Sequence, residues 1–127
     1  MKLDQDLVRE ILMAIEANNS DPKEGIDLVL ENRTHREISY HVELLAEAGF
    51  VLARDAAYLA DSVSIWRPTR LTYKGHEFLD TVRDGEVWRR TKAGAEKTGV
   101  AGLGVLLELG KAYGKEVLKE KLGIELS

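Results

Sequence analysis

The stretch His41-Val-Glu-Leu-Leu-Ala-Glu-Ala-Gly-Phe-Val51 runs from a helical pattern through a glycine straight into an aromatic and β-branched pair. Gly49 stands where the residue just past a helix C-terminus belongs, so the stretch predicts a helix stopped by glycine and turned directly into a strand. Downstream, Arg70-Leu-Thr-Tyr-Lys-Gly-His-Glu-Phe-Leu79 predicts a strand end, a Thr72 cap and another helix. Helix, strand, hairpin, strand, helix in that order is the skeleton of a winged helix-turn-helix. The expected fold class is therefore α+β. A winged-helix-like domain is expected over residues 1–85, followed by a C-terminal helical extension over 86–127 that packs on the core or forms a dimer interface.

The flanking segments support that skeleton. Asp4 and Asp6 open a first helix, in which Leu7, Val8, Ile11, Leu12 and Ile15 recur on one face. Asn18-Asn-Ser-Asp-Pro22 ends it with turn residues. Ile26-Asp-Leu-Val-Leu30 is partly β-branched and predicts a short strand, with one helical turn as the alternative. Thr34 and Glu37 form a capping box for the helix that carries Ile38, His41, Val42, Leu45, Ala48 and Gly49 on its inner stripe. Arg36, Tyr40, Glu43 and Glu47 fall opposite. Phe50 to Ala53 starts a strand, 55–62 connects, and Val63 to Arg67 returns, with Pro68 confined to an edge or bulge. In the next helix His76, Leu79 and Val82 sit near one face, with Phe78 beside them. After the Asp84-Gly85 break, a helix from about Glu86 is anchored by Trp88, Gly94 and Gly99 predict a hinge, and a last helix spans Val100 to Lys121.

Composition narrows the function classes. The chain has 127 residues, 44% hydrophobic and 31% charged, as a globular protein does. Absence of cysteine removes disulfides, thiolate nucleophiles and thiolate zinc sites. The apolar run from Gly99 to Leu107 is too short for a membrane span and the N-terminus has no signal pattern, so a cytoplasmic location without membrane association is expected. His35 and His41 are six residues apart, off the i, i+4 spacing of a zinc helix. His41 and His76 are expected to be partly buried and hydrogen-bonded across a helix–helix contact. No serine has an elbow context, and Gly99, Gly102 and Gly104 follow no strand. The expectation is a non-enzymatic protein with no catalytic residue, metal or cofactor.

The phrase Arg70 to Asp80, followed by Arg83-Asp-Gly-Glu-Val-Trp88 and Lys92, resembles a family of uncharacterised proteins found in phages and prophages (DUF2513). The acidic opening helix and Ile38-Ser-Tyr-His-Val-Glu-Leu-Leu-Ala-Glu-Ala-Gly49 extend the resemblance over nearly the whole chain. It implies a mobile-element origin and supplies no activity. More loosely, His41–Val51 and Leu71–Gly75 look like the recognition and post-wing helices of bacterial winged-helix repressors. One departure stands out: Ile26 to Thr34 leaves little room for the separate second helix of those repressors.

Two interfaces follow. Arg54, Arg67 and Arg70 fall on the hairpin strands and Arg33 and Arg36 at a helix start. In the DNA-binding reading Ser39 and Tyr40 lie at a groove of double-stranded DNA while Arg36, Arg54, Arg67 and Arg70 meet phosphates. Net charge argues the other way, because the whole chain is −4 and residues 1–90 carry 12 Lys/Arg against 17 Asp/Glu. The competing reading is a protein-interaction module whose partner face is Tyr40, Glu43 and Glu47. In the last helix Leu103, Leu107, Gly110, Gly114 and Val117 recur at spacings of four, three, four and three. That seam predicts a homodimer interface, or a fold-back on the helix from Asp4 to Glu16.

Overall fold

The computed structural model describes residues 1–18, 25–56, 65–99 and 102–123. Among these the architecture is α+β: five helices and one two-stranded antiparallel sheet. The chain forms two compact units, Met1–His76 and Glu77–Ser127. The division falls upstream of the boundary expected near Gly85.

The first unit contains α1 (Gln5–Ala17), α2 (His35–Glu47), β1 (Val51–Asp55), β2 (Trp66–Leu71) and the start of α3 (Tyr73–Val82). Asp4 caps α1 by accepting the Leu7 N–H at 3.1 Å. The α1 stripe read from periodicity, Leu7, Val8, Ile11, Leu12 and Ile15, is buried. It packs on α2 and β2, while α2 also covers β1. Each such side chain removed from water contributes roughly 1.5–3 kcal/mol. Thr34 caps α2 through the Glu37 N–H at 3.0 Å. The helix then ends in a Schellman turn: Gly49, at φ 84°, donates to Ala46 at 3.1 Å, and Phe50 donates to Leu45 at 2.9 Å. Leu45 and Phe50 are both buried, so the stop is also a hydrophobic contact that aims β1.

In the sheet, Val51 pairs with Leu71 and Leu52 with Arg70, then the register shifts so that Ala53 faces Pro68. Thr69 is the extra residue of this bulge, and its hydroxyl donates to the Leu52 carbonyl at 3.1 Å. Pro68 thus sits where a missing N–H is harmless.

Several expectations need correction. Ile26–Leu30 is neither strand nor helix. Among the described residues a single backbone bond, from Ile26 N–H to the Pro68 carbonyl at 2.7 Å, ties it to β2. The chain then turns at Glu31–Asn32 with Asn32 at φ 62°, which stops any helical run before Thr34. Gly25 is required where it stands: φ is 86° and a Cβ there would come within 2.6 Å of the Arg67 Cβ. His41 is buried as expected, but His76 is exposed. Of the expected return strand, Val63 and Ser64 lie outside the described residues, as does most of the connection and of the turn after α1.

The second unit holds the end of α3 with α4 (Gly85–Thr98) and α5 (Leu103–Leu122). Asp84 caps α4 by accepting from Glu86 and Val87 at 2.8 and 3.1 Å, and its other oxygen accepts from Lys121 at 2.7 Å. Trp88 is buried in α4, as its anchoring role requires. Of the two glycines expected to weaken this region, Gly94 lies inside α4, packed so closely on α5 that a Cβ would reach within 2.8 Å of the Tyr113 hydroxyl, and Gly99, at φ 73°, is where the helix ends. Arg90 joins the two helices by pairing with Glu86 at 2.9 Å, Glu116 at 3.4 Å and Glu120 at 3.1 Å.

Candidate nucleic-acid interface

Residues 26–28, α2 and β2 enclose a groove of about 1010 Å³ within the first unit. Its apolar lining comes from Ile26, Leu28, Ile38, Trp66 and Pro68, and its polar lining includes Arg36, Ser39, Tyr40, Glu43, Arg67 and Asp27. The groove exists because the Ile26–Pro68 hydrogen bond holds the 25–30 segment along the side of β2, while Ser39 ties α2 to the start of β2 by accepting the Trp66 N–H at 2.8 Å.

Of the six residues expected to meet DNA, Arg36, Ser39, Tyr40 and Arg67 line this one groove. Arg54 and Arg70 do not. Arg54 is exposed and faces Arg67 directly across the sheet. Arg70 turns its guanidinium back to the Leu71 carbonyl at 2.9 Å. Ser39 has its hydroxyl engaged with Trp66, which makes it a support of the groove as much as a contact. Arg33 is also committed elsewhere, to Asp4 at 2.5 Å and Glu10 at 3.1 Å. Partial burial pushes the Asp4 carboxyl up, yet hydrogen bonds from Arg33 and from the Leu7 N–H outweigh it and hold it below the ordinary carboxylate value.

The electrostatics at Arg67 are unusual. Its Nε is buried without a hydrogen-bond partner among the described residues, and the residue opposite it is another arginine. A desolvated donor beside a like charge is unfavourable unless an acceptor arrives. Arg67 also lines the groove, beside the aromatic rings of Tyr40 and Trp66 and the carboxylates of Glu43 and Asp27. Sequence reading missed Trp66 and Asp27. The Trp66-Arg67 adjacency, an aromatic beside a cation, was the available signal.

His41 is buried with both ring nitrogens engaged, Nε2 accepting the Asp4 N–H and Nδ1 facing the Glu37 carbonyl, each at 2.8 Å. No group of three metal-ligating side chains occurs among the described residues. Among the described residues no helix is long and apolar enough to cross a membrane.

The expected oligomer seam lies in the second unit. Leu107, Gly110 and Val117 are buried, and Leu103 and Gly114 partly so. A Cβ on Gly110 would meet Thr81 and Val82 at 3.1 Å, and one on Gly114 would meet Thr81 at 3.6 Å. The helix these glycines pack against is therefore α3 of the same chain.

An α+β chain with a helix-and-hairpin groove is the class that fold and site define. The family model described as "Hypothetical protein (DUF2513)" matches residues 2–101, and the chain belongs to that family. It is also similar to an "Uncharacterized protein" of Haemophilus influenzae (strain ATCC 51907 / DSM 11121 / KW20 / Rd), 34% identical over 92 residues that cover 72% of this chain and 76% of the relative. No solved structure matches the chain.

Proposed function

We propose that this chain is a non-enzymatic, winged-helix-like nucleic-acid-binding protein, an accessory or regulatory factor of phage or prophage origin that works in the cytoplasm. In this reading α2 is the recognition helix, the β1–β2 hairpin is the wing and α3 is the post-wing helix. The observation that carries it is Arg67, which lies opposite Arg54, lines one groove with Arg36, Ser39 and Tyr40, and has no hydrogen-bond partner for its Nε among the described residues. A phosphate in the groove accepts from the guanidinium groups that line it and offsets the like charges. The mobile-element origin rests on the family resemblance carried by the Arg70–Asp80 phrase.

The test is an anisotropy titration of the full chain with labelled mixed-sequence DNA, duplex and single-stranded, at low and moderate salt. Binding that weakens as salt rises supports the reading. No binding to either form at low salt overturns it.

A second reading, the protein-interaction module, is favoured by a specific feature of the same groove. Its floor is largely aliphatic, and its two arginines are matched by the carboxylates of Asp27 and Glu43. Such a surface suits a peptide segment as well as an anion. Failure of every nucleic acid in the titration would leave this reading standing.

A further inference from the structure

We propose that the groove between α2 and β2 takes an unpaired nucleotide, so that the nucleic acid this protein binds is single-stranded; this rests on the nucleic-acid reading above. Three features of the groove converge on it.

The first is aromatic. Tyr40 is 36% exposed and Trp66 half-buried, and both line the groove. Trp66 is anchored through its backbone by Ser39, and Tyr40 meets the buried His41 ring edge-on at 5.8 Å and 84°. Rings held in a recess stack on the faces of bases, whereas a duplex shows a protein only base edges.

The second is the mixture of charges. Arg36 and Arg67 suit the phosphate of one or two nucleotides. Glu43 and Asp27 would repel a phosphate backbone laid along α2, yet they accept hydrogen bonds from exocyclic amino groups of cytosine, adenine or guanine. In a duplex the Watson–Crick hydrogens of those amino groups are already committed to the opposite strand. One hydrogen of each amino group still reaches a duplex groove, but a splayed base offers a carboxylate both, so the carboxylates favour the splayed base.

The third is the overall balance. Duplex binding draws mainly on phosphate neutralisation, which a chain of net charge −4 supplies poorly. Stacking does not depend on net charge. The groove, at about 1010 Å³, has the scale of small-molecule sites, which suits one or a few nucleotides.

The experiment uses the full chain and one short mixed-sequence DNA strand, offered alone or annealed to its complement. Anisotropy of the labelled strand is read with the wild type. In parallel, tryptophan fluorescence is read in Trp88→Phe, which leaves Trp66 as the reporter of the two tryptophans. The single strand is expected to bind at least about tenfold tighter than the duplex and to quench Trp66, while Tyr40→Ala weakens single-strand binding by about tenfold or more. Tyr40 is solvent-facing, so this variant keeps the fold. Duplex binding as tight as single-strand binding overturns the inference and leaves the nucleic-acid reading intact. Binding of neither overturns both. Single-strand binding without Trp66 quenching and unchanged by Tyr40→Ala overturns the groove as its site.

Discussion

Gly75 and Phe50 meet backbone to backbone: a Cβ built on Gly75 would overlap the carbonyl oxygen of Phe50. That carbonyl already accepts the Thr72 N–H at 3.0 Å, and the Thr72 hydroxyl donates to the Gly49 carbonyl at 2.5 Å while accepting the Gly75 N–H at 3.1 Å. Lys74 adds a bond to the Ala48 carbonyl at 3.2 Å and lies 4.9 Å from the centre of the Phe50 ring. The glycine stop of α2 and the threonine start of α3 are therefore one junction. The carbonyls freed where α2 ends are satisfied where α3 begins. This junction closes the loop that carries β1 and β2, and so holds one wall of the groove to the other.

The two glycines of this junction should respond differently to a methyl group. Gly75→Ala drives a Cβ into a carbonyl that cannot rotate away, an overpacking that typically costs about 1–3 kcal/mol or more. Gly49→Ala meets nothing within 4 Å and bears only the strain of φ 84°, of order 1–2 kcal/mol. Urea denaturation should rank Gly75→Ala as the less stable of the two. The reverse order would mean that the close approach relaxes easily.

His41 should prove a structural residue of the α1–α2 contact. Because Nε2 accepts from the Asp4 backbone, the ring hydrogen belongs on Nδ1, facing the Glu37 carbonyl. His41→Leu preserves much of the bulk but leaves a part-buried N–H at the start of α1 without an acceptor, a loss of about 1–3 kcal/mol. Nitrogen NMR of the imidazole should show the Nδ1–H tautomer, and thermal denaturation of His41→Leu should show the lowered midpoint. An unchanged midpoint would show that the N–H finds another acceptor.

Glu86 gives the clearest pH dependence. Hydrogen bonds from Arg89, then Arg90, lower its carboxyl from 4.5 to about 2. A carboxyl depressed on folding contributes stability that is present above its unfolded value and lost as pH falls through its folded one. The contribution of this group is therefore complete above about pH 4.5 and fades down to about pH 2. Carboxyl NMR titration should find Glu86 ionised through that window, and Arg89→Ala should move its midpoint up. At this solvent-exposed site the shift should shrink with added salt.

How far the sequence reaches follows from which interactions are local. The caps at Asp4, Thr34 and Thr72, the Gly49 stop, the inner stripe of α1 and that of α2 from Ile38 to Leu45 were legible because each is decided within a few residues, whereas Ala48 is half-buried and Gly49 exposed where the stripe was expected to continue. The 26–30 segment was misread because β-branched residues suggest a strand whether or not a partner ladder exists, and among the described residues one backbone hydrogen bond, to Pro68, ties it to the sheet. Gly94 was misread because helix-breaking tendency yielded to packing against Tyr113. The α5 seam was visible as a period, but small residues do not name the helix that fills them, and Thr81 and Val82 of α3 do so. In the groove, Arg36, Ser39, Tyr40 and Arg67 were found as polar residues on expected exposed faces. The stranded Nε of Arg67 is a fact of tertiary burial with no sequence counterpart.

That stranded Nε leads to the sharpest prediction, a split between stability and binding. Leaving a buried donor unsatisfied costs roughly 1–3 kcal/mol, and facing a second arginine adds like-charge repulsion. Arg67→Met keeps a long flexible side chain, removes both penalties and preserves packing along the groove. If Arg67 is held there for a ligand, Arg67→Met should unfold at a urea concentration equal to or higher than the wild type, while its affinity for oligonucleotide falls by tenfold or more. Arg54→Met, exposed on the facing strand, should also relieve the repulsion but weaken binding less, since its guanidinium lies outside the groove. Paired urea curves and anisotropy titrations of the two variants decide the matter. A marked loss of stability in Arg67→Met would show that the guanidinium supports the fold and would remove the observation on which the binding site rests.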